Sequence, residues 1–365
     1  MNIMTKKIKL FEPCIGLNEE ESVKKILRSK FWASGAGTGL VSKFEKKFQN
    51  FSHSDECVAV NSGTAALHLA ISLSDIQNKE VIIPSLSFTS TANSVLYNEG
   101  KPIFADVDPN TLCLDPNDVE NKITENTKAI IPVHFAGHPS NLSVLQKLAK
   151  KHDLIMIEDA AHACGATYEG KPIGSHGKFV CFSFHPVKNL AMPNGGLISI
   201  NSNKYENLKQ KLNSLRWCGI SDRIGTNYDV KYLGWNYYMN EFSAGIGLEQ
   251  LKKLKKLNLI RKNISKRYFE EINISTKMPF TKDSVYHFYW ILVKNRKNLI
   301  KYLLDKNIET GTHYKPIHKM TYYKSNISLK LTEKFSKQII SLPTHPNLSE
   351  NDVTKIIKTI NSFVR

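Results

Sequence analysis

Between residues 55 and 200 the chain alternates short, almost wholly apolar runs with stretches whose apolar residues recur at helical spacing. Glu56-Cys-Val-Ala-Val60 leads into Ala65-Ala-Leu-His-Leu-Ala-Ile71, and Val81-Ile-Ile83 precedes a helix-compatible stretch from about Thr89 to Tyr97. Pro102-Ile-Phe-Ala-Asp106 follows, then Ala129-Ile-Ile-Pro-Val133. From about Asn141 a helix is predicted in which Leu142, Leu145 and Leu148 repeat every three residues, after which Leu154-Ile-Met-Ile157 returns as a strand. Strands that are apolar on both faces must be covered on both faces. Separated by helices, they predict βαβ units and an α/β fold with a mainly parallel sheet. Ligands of such sheets bind beyond the carboxyl ends of the strands. Asn61–Thr64, Asp159 and Ser183–Lys188 fall at those ends.

After about residue 240 the pattern changes. A long amphipathic helix (about 241–272) leads to a strand at Tyr286-His-Phe-Tyr-Trp-Ile-Leu-Val293, a helix (about 297–306), a loop around His313–His318 and a terminal helix (about 350–363). This α+β layout predicts a large domain over 1–245, including the N-terminal segment, and a smaller C-terminal domain over 246–365. A length of 365 residues suits that division.

Composition changes the picture little. A hydrophobic content of 41% with 10% aromatics is that of a globular protein. The start lacks an apolar core long enough for a signal peptide, and no apolar run approaches the roughly 20 residues that span a bilayer. The expectation is a cytoplasmic protein without membrane contacts. The six cysteines are scattered with no Cys-x-x-Cys pair, which predicts buried free thiols. The formal charge of +17 raises a rival function, because such an excess attracts nucleic acid or anionic small molecules. The densest basic run, Lys252-Lys-Leu-Lys-Lys256, shares a helical pattern with Ile246, Leu251, Leu254 and Leu257, so it reads as a solvated helix face. No nucleic-acid-binding motif accompanies it.

The candidate chemistry lies mostly between Asp153 and Gly196. One apolar run ends in Glu158-Asp159-Ala-Ala-His162, the next in Ser183-Phe-His-Pro-Val-Lys188. A carboxylate and an amine from neighbouring strand ends suit a site for a pyridine cofactor: the carboxylate keeps a ring nitrogen protonated and the amine forms a Schiff base with an aldehyde. Ser62-Gly63-Thr64 sits at a strand-to-helix turn, where a new helix's free amides and hydroxyls can bind an anion, or where Ser62 or Thr64 simply caps the helix. His134-Phe-Ala-Gly-His138 has the histidine spacing of a zinc helix but no glutamate, and it follows a strand, so no metal site is expected.

With these motifs in order along nearly the whole chain, the sequence resembles the DegT/DnrJ/EryC1/StrS family of sugar aminotransferases. Ser62-Gly-Thr-Ala-Ala-Leu67 is similar to the family's phosphate loop, Glu158-Asp-Ala-Ala-His-Ala163 to its ring-binding strand end, and Ser183-Phe-His-Pro-Val-Lys-Asn189 to its Schiff-base segment. Leu233-Gly-Trp-Asn-Tyr-Tyr-Met-Asn240, His313-Tyr-Lys-Pro-Ile-His318 and Ser341-Leu-Pro-Thr-His-Pro346 resemble further family signatures. The resemblance implies the type I (aspartate aminotransferase-like) fold and pyridoxal 5'-phosphate as cofactor. It also implies a homodimer with shared active sites, L-glutamate as amino donor and a nucleotide-linked keto-sugar as acceptor. It makes Lys188 the Schiff-base lysine and proton carrier, and Asp159 the partner of the ring nitrogen. His162 would sit near the ring oxygen and Phe88 would stack on the ring. Gly63, Thr64 and Ser183 would hold the phosphate, with Asn236 reaching the phosphate of the neighbouring subunit. His313 and Tyr314 are candidate substrate residues. His162, where other members carry glutamine, resembles those that aminate C4 of a 4-keto-6-deoxy sugar, with C3 amination the alternative. A basic regulatory or DNA-binding protein that keeps the fold is the reading from another class, and an intact Lys188 and Asp159 argue against it. Pro193-Asn194 before Gly195-Gly196, Lys178 and Tyr238 depart from the common family pattern.

Overall fold

The apolar runs form one seven-stranded sheet in the computed structural model, which describes residues 7–202 and 207–364. In chain order its strands are Glu56–Val60, Glu80–Pro84, Lys101–Ala105, Thr127–Ile130, Ile155–Asp159, Phe179–Ser183 and Gly196–Ile200. Across the sheet they lie in the order first, seventh, sixth, fifth, fourth, second, third. All are parallel except Gly196–Ile200, which pairs antiparallel with both its neighbours.

Alternation along each strand divides the interior into two layers. On the first strand Cys57 and Ala59 face a core that includes Phe44, Phe48, Leu145 and Phe182, whereas Val58 and Val60 face another built on Ala65–Ile71 and Val95. Each fully buried Val, Ile or Phe contributes about 1.5–3 kcal/mol, so every strand is held from both sides. Helices Leu40–Ser52 and Leu142–Lys151 cover the first face, Gly63–Ser72 and Ser90–Tyr97 the second.

The predicted long helix is Glu241–Glu271, capped by Asn240, whose side chain accepts from the Ser243 amide. The boundary between residues 245 and 246 falls inside its first turns. Ala244 and Leu254 belong to the large core, while Ile264 and Tyr268 belong to a second core with Trp290, Phe288, Leu299, Leu303, Ile356 and Ile360. The expected strand over 286–293 is confined to Tyr289–Leu292 and pairs antiparallel with Ile339–Leu342. The N-terminal segment joins this second unit: the Ile8 amide donates to Asn307 O at 2.8 Å and the Glu309 amide to Ile8 O at 2.9 Å. In the basic run, Leu254 and Leu257 are buried, while Lys252 and Lys253 pair with Glu249 and Glu19. Among the described residues no helix is long and apolar enough to cross a membrane. All six cysteines are free thiols, and Cys57, Cys113, Cys164 and Cys181 are buried.

Candidate active site

The sheet brings the two strand-end groups together. Asp159 closes the Ile155–Asp159 strand, and Ser183 closes its parallel neighbour, with Asp159 opposite Cys181 in the register. Lys188 follows Ser183 in a turn fixed by its own amide, which donates to His185 O at 2.8 Å. The Ser62–Thr64 turn comes alongside from the first strand. It approaches so closely that a Cβ on Gly196 would lie 2.2 Å from Ser62 O, and one on Gly63 2.7 Å from Ser183 Cβ. Only glycine fits at these two places, and they set the spacing of the three segments.

Around these ends lies a cavity of about 410 Å³. Its lining contains Gly63, Thr64, Phe88, Asp159, His162, Ser183, Lys188, His313 and Tyr314. Asn236 lies outside it, exposed on the surface, with its carbonyl accepting from Asn61 Nδ2 at 3.3 Å. The capping reading of the 62–64 turn holds, and it leaves room for the other. Ser62 caps helix Gly63–Ser72 by accepting from the Ala65 amide at 3.1 Å, and its carbonyl accepts from the Ala66 amide. The amides of Gly63 and Thr64 are the ones the cap leaves free, beside the Thr64 and Ser183 hydroxyls, which is the equipment of an anion site.

Asp159 is 5% exposed. Thr91 donates its hydroxyl to Oδ2 at 2.9 Å and the Ala161 amide donates to Oδ1 at 3.2 Å. Burial nevertheless pushes its carboxyl pKa up, against those bonds and the attraction of Lys188 and His134. Among the described residues no basic side chain forms an ion pair with it. Lys188 shows the converse: burial pulls its pKa down to about 8, although the Asp159 charge works the other way. Free lysine, near 10.5, would be neutral in roughly one copy in three thousand at pH 7, against roughly one in ten here. The reactive amine is thus available near neutrality. Reductive trapping of a small aldehyde on Lys188 is expected to accelerate with pH and level off above about pH 8, where the neutral amine predominates. Mass spectrometry of the modified peptide over a pH series checks this; a rise persisting to pH 10 would contradict the burial effect.

Several contributors lay outside the sequence reading. Phe11 lines the cavity from the N-terminal segment, Thr91 holds Asp159, and the His287 ring lies against that of His162, tilted by 30° with centroids 4.6 Å apart. The two histidines of His134-Phe-Ala-Gly-His138 are engaged separately: His134 Nε2 lies 2.9 Å from Glu158 Oε2, and His138 Nδ1 lies 2.9 Å from Ser284 Oγ.

A reactive amine and a buried carboxylate in one cavity, with free helix amides on a mainly parallel sheet, are the equipment of an enzyme that handles carbonyl and amino groups. The model of the DegT/DnrJ/EryC1/StrS aminotransferase family matches residues 13–361, and the chain belongs to that family. It is a sugar aminotransferase. Its relatives include GDP-perosamine synthase of Escherichia coli O157:H7, 33% identical over 98% of this chain and 99% of that protein. Among solved structures it is similar to PseC of Helicobacter pylori, an aminotransferase involved in the biosynthesis of pseudoaminic acid. That similarity has 30% identity and a TM-score of 0.92, covering 98% of this chain and 99% of that one. The putative sugar aminotransferase Spr1654 of Streptococcus pneumoniae, solved in its PLP form, is 27% identical with a TM-score of 0.92, covering 98% of each chain.

Proposed function

We propose that this aminotransferase uses pyridoxal 5'-phosphate to move the amino group of L-glutamate to a nucleotide-linked keto-sugar, at C4 of a 4-keto-6-deoxy sugar. The observation that carries the reading is the pairing of Lys188, whose amine burial makes reactive, with Asp159, a buried carboxylate that forms no direct ion pair among the described residues. A protonated pyridine nitrogen is the partner that such a carboxylate lacks. When bound, the cofactor supplies an aldehyde for the amino group and a ring that accepts the electrons released at carbon.

In this reading Lys188 attaches the cofactor and carries the proton to and from the reacting carbon. Asp159, held by Thr91 and the Ala161 amide, keeps the ring nitrogen protonated. The free amides of Gly63 and Thr64, with the Thr64 and Ser183 hydroxyls, hold the phosphate. Phe88, 58% exposed at the cavity mouth, has the free face needed to cover a ring. Asn236 lies outside the cavity of its own subunit and is assigned to the phosphate of the partner's site. Phe31, Trp32 and Leu233 stand exposed at 45%, 51% and 88%, apolar surface that a homodimer would cover. A nucleotide-linked acceptor is supported by the GDP-perosamine synthase relative, whose name contains a GDP-linked sugar. C4 is preferred over C3 because His162, where other family members carry glutamine, resembles the members that aminate C4.

Incubating the protein with pyridoxal phosphate, L-glutamate and a panel of UDP-, dTDP- and GDP-linked 3-keto and 4-keto sugars tests the proposal. Product mass and the position of the new amine are the readouts. A 4-amino-6-deoxy product is expected. Amination at C3 would overturn the regiochemistry, and no amination of any nucleotide sugar would overturn the acceptor class.

A further inference from the structure

The mouth of the cavity is framed by two distant parts of the chain. Ser87 and Phe88 come from the loop that leaves the Glu80–Pro84 strand, His313 and Tyr314 from the C-terminal unit. The Phe88 and Tyr314 rings stand 6.2 Å apart between centroids. Behind them Ser85 and His318, each 0% exposed, join the two walls. The Ile317 amide donates to Ser85 O at 2.9 Å, the His318 amide donates to Ser85 Oγ at 3.2 Å, and Ser85 Oγ lies 2.6 Å from His318 Nδ1. The direction of the last bond follows from its neighbours. Ser85 Oγ already accepts from the His318 amide, and among the described residues the only acceptor for its own proton is Nδ1. Nδ1 therefore accepts, which puts the imidazole proton on Nε2, 3.4 Å from Glu333 Oε1. Glu333 is itself fixed, accepting from the Leu329 amide at 3.2 Å and pairing with Lys319 at 3.1 Å. Burial lowers the His318 pKa, although Glu333 works against it, so the ring stays neutral near pH 7 and this arrangement persists.

The links from this latch to the mouth are short and stiff. Leu86, 1% exposed, separates Ser85 from Ser87, and Pro316 and Ile317, both buried, lead from the Tyr314 side to His318. Proline fixes its own backbone torsion, so a displacement at the latch is passed on to the rings. We propose that His318 is a positioning residue of this aminotransferase: through Ser85 it fixes the Tyr314 wall against the Phe88 wall and so sets the width of the mouth above Lys188. A side chain that holds the wall of a site by a buried hydrogen bond keeps that wall's geometry constant while ligands pass.

Four variants test it. Ser85→Ala and His318→Leu break the bond, the double variant breaks it once more, and His318→Asn places an amide oxygen where Nδ1 accepts. In cofactor-free protein, reductive trapping of acetaldehyde and of benzaldehyde on Lys188 is compared by mass spectrometry of the modified peptide. The benzaldehyde-to-acetaldehyde ratio is expected to rise about fivefold in the two broken variants, within the worth of one hydrogen bond. The double variant should match the singles, because both remove the same contact, and His318→Asn should match wild type. In protein loaded with pyridoxal phosphate, the half-saturating L-glutamate concentration in single-turnover transfer should also rise about fivefold in the broken variants, with the limiting rate within about twofold of wild type. An unchanged size preference in both broken variants would overturn the inference whatever their melting temperatures, since a purely structural bond moves stability alone. Effects that add in the double variant would overturn it too, as would a His318→Asn protein altered like His318→Leu. If His318→Leu does not fold by circular dichroism, Ser85→Ala and His318→Asn decide. The glutamate measurement rests on the proposed function above. A wild type that glutamate does not convert would sink that reading, and the aldehyde ratio would still decide the role of His318.

Discussion

Lys188→Ala is expected to abolish the absorption band that the wild type develops with pyridoxal phosphate and to lower kcat at least about 10⁴-fold, the upper end for a positioned proton carrier. The fold should survive. Lys188 is held in its turn by the backbone bond from its amide to His185 O, which alanine keeps, and removing an amine whose burial lowers its pKa takes away an unfavourable desolvation. Lys188→Arg separates charge from nucleophilicity. It preserves the positive charge opposite Asp159, but its guanidinium stays protonated throughout the accessible range and cannot attack an aldehyde. Arginine should therefore be as inactive as alanine. Absorption spectra and single-turnover transfer from glutamate check both variants. An arginine variant that retained the band, or an alanine variant within tenfold of wild type, would mean that another residue carries the amine chemistry.

The readability of this site from sequence divides along a physical line. Asp159 and Lys188 could be found because each ends a run whose apolarity fixes it as a buried strand, and parallel strands deliver their ends to one edge of the sheet. The Ser62–Thr64 turn was legible for the same reason. What periodicity does not encode is direction. Gly196–Ile200 reads like its neighbours yet runs antiparallel to them, because an apolar run buried on both faces has the same pattern either way. The hairpin of Ile220–Ile224 and Asn227–Val230 is mostly exposed, so no buried face marks it as strand. Thr91, Phe11 and His287 escaped for a third reason. Their roles depend on contacts across 68 residues to Asp159, on the cavity mouth and on the ring of His162, and nothing in the adjacent sequence points a side chain at a distant one. A helix that serves two cores, with Leu254 in one and Tyr268 in the other, carries a continuous pattern with no break at which to divide the chain.

Asp159→Asn should separate function from stability with opposite signs. On activity the effect is loss. An amide cannot favour a protonated ring nitrogen as a carboxylate does, so kcat is expected to fall about 10²–10³-fold, the scale seen when one fixed electrostatic contact to a reacting system is removed. On the cofactor-free protein the effect is gain. Burial raises the Asp159 pKa above its ordinary value of 3.8, so between that value and the raised one the folded state binds more protons than the unfolded state. Stability contributed by this group is then present at low pH and declines as pH rises through the window, and above it the native state carries a buried carboxylate at a cost. Asparagine, nearly the same size and able to accept from Thr91 through its carbonyl oxygen, removes that cost. The cofactor-free variant should melt at a higher temperature than wild type at pH 7–8, and the difference should shrink as pH is lowered towards 4. Adding pyridoxal phosphate should reverse the order, because only the wild-type carboxylate gains a cation when the ring is bound. Thermal unfolding of both proteins, with and without cofactor across that pH range, reads all three signs. A cofactor-free variant less stable than wild type would show that the Thr91 and Ala161 bonds outweigh desolvation, and that Asp159 is held by the fold and not strained by it.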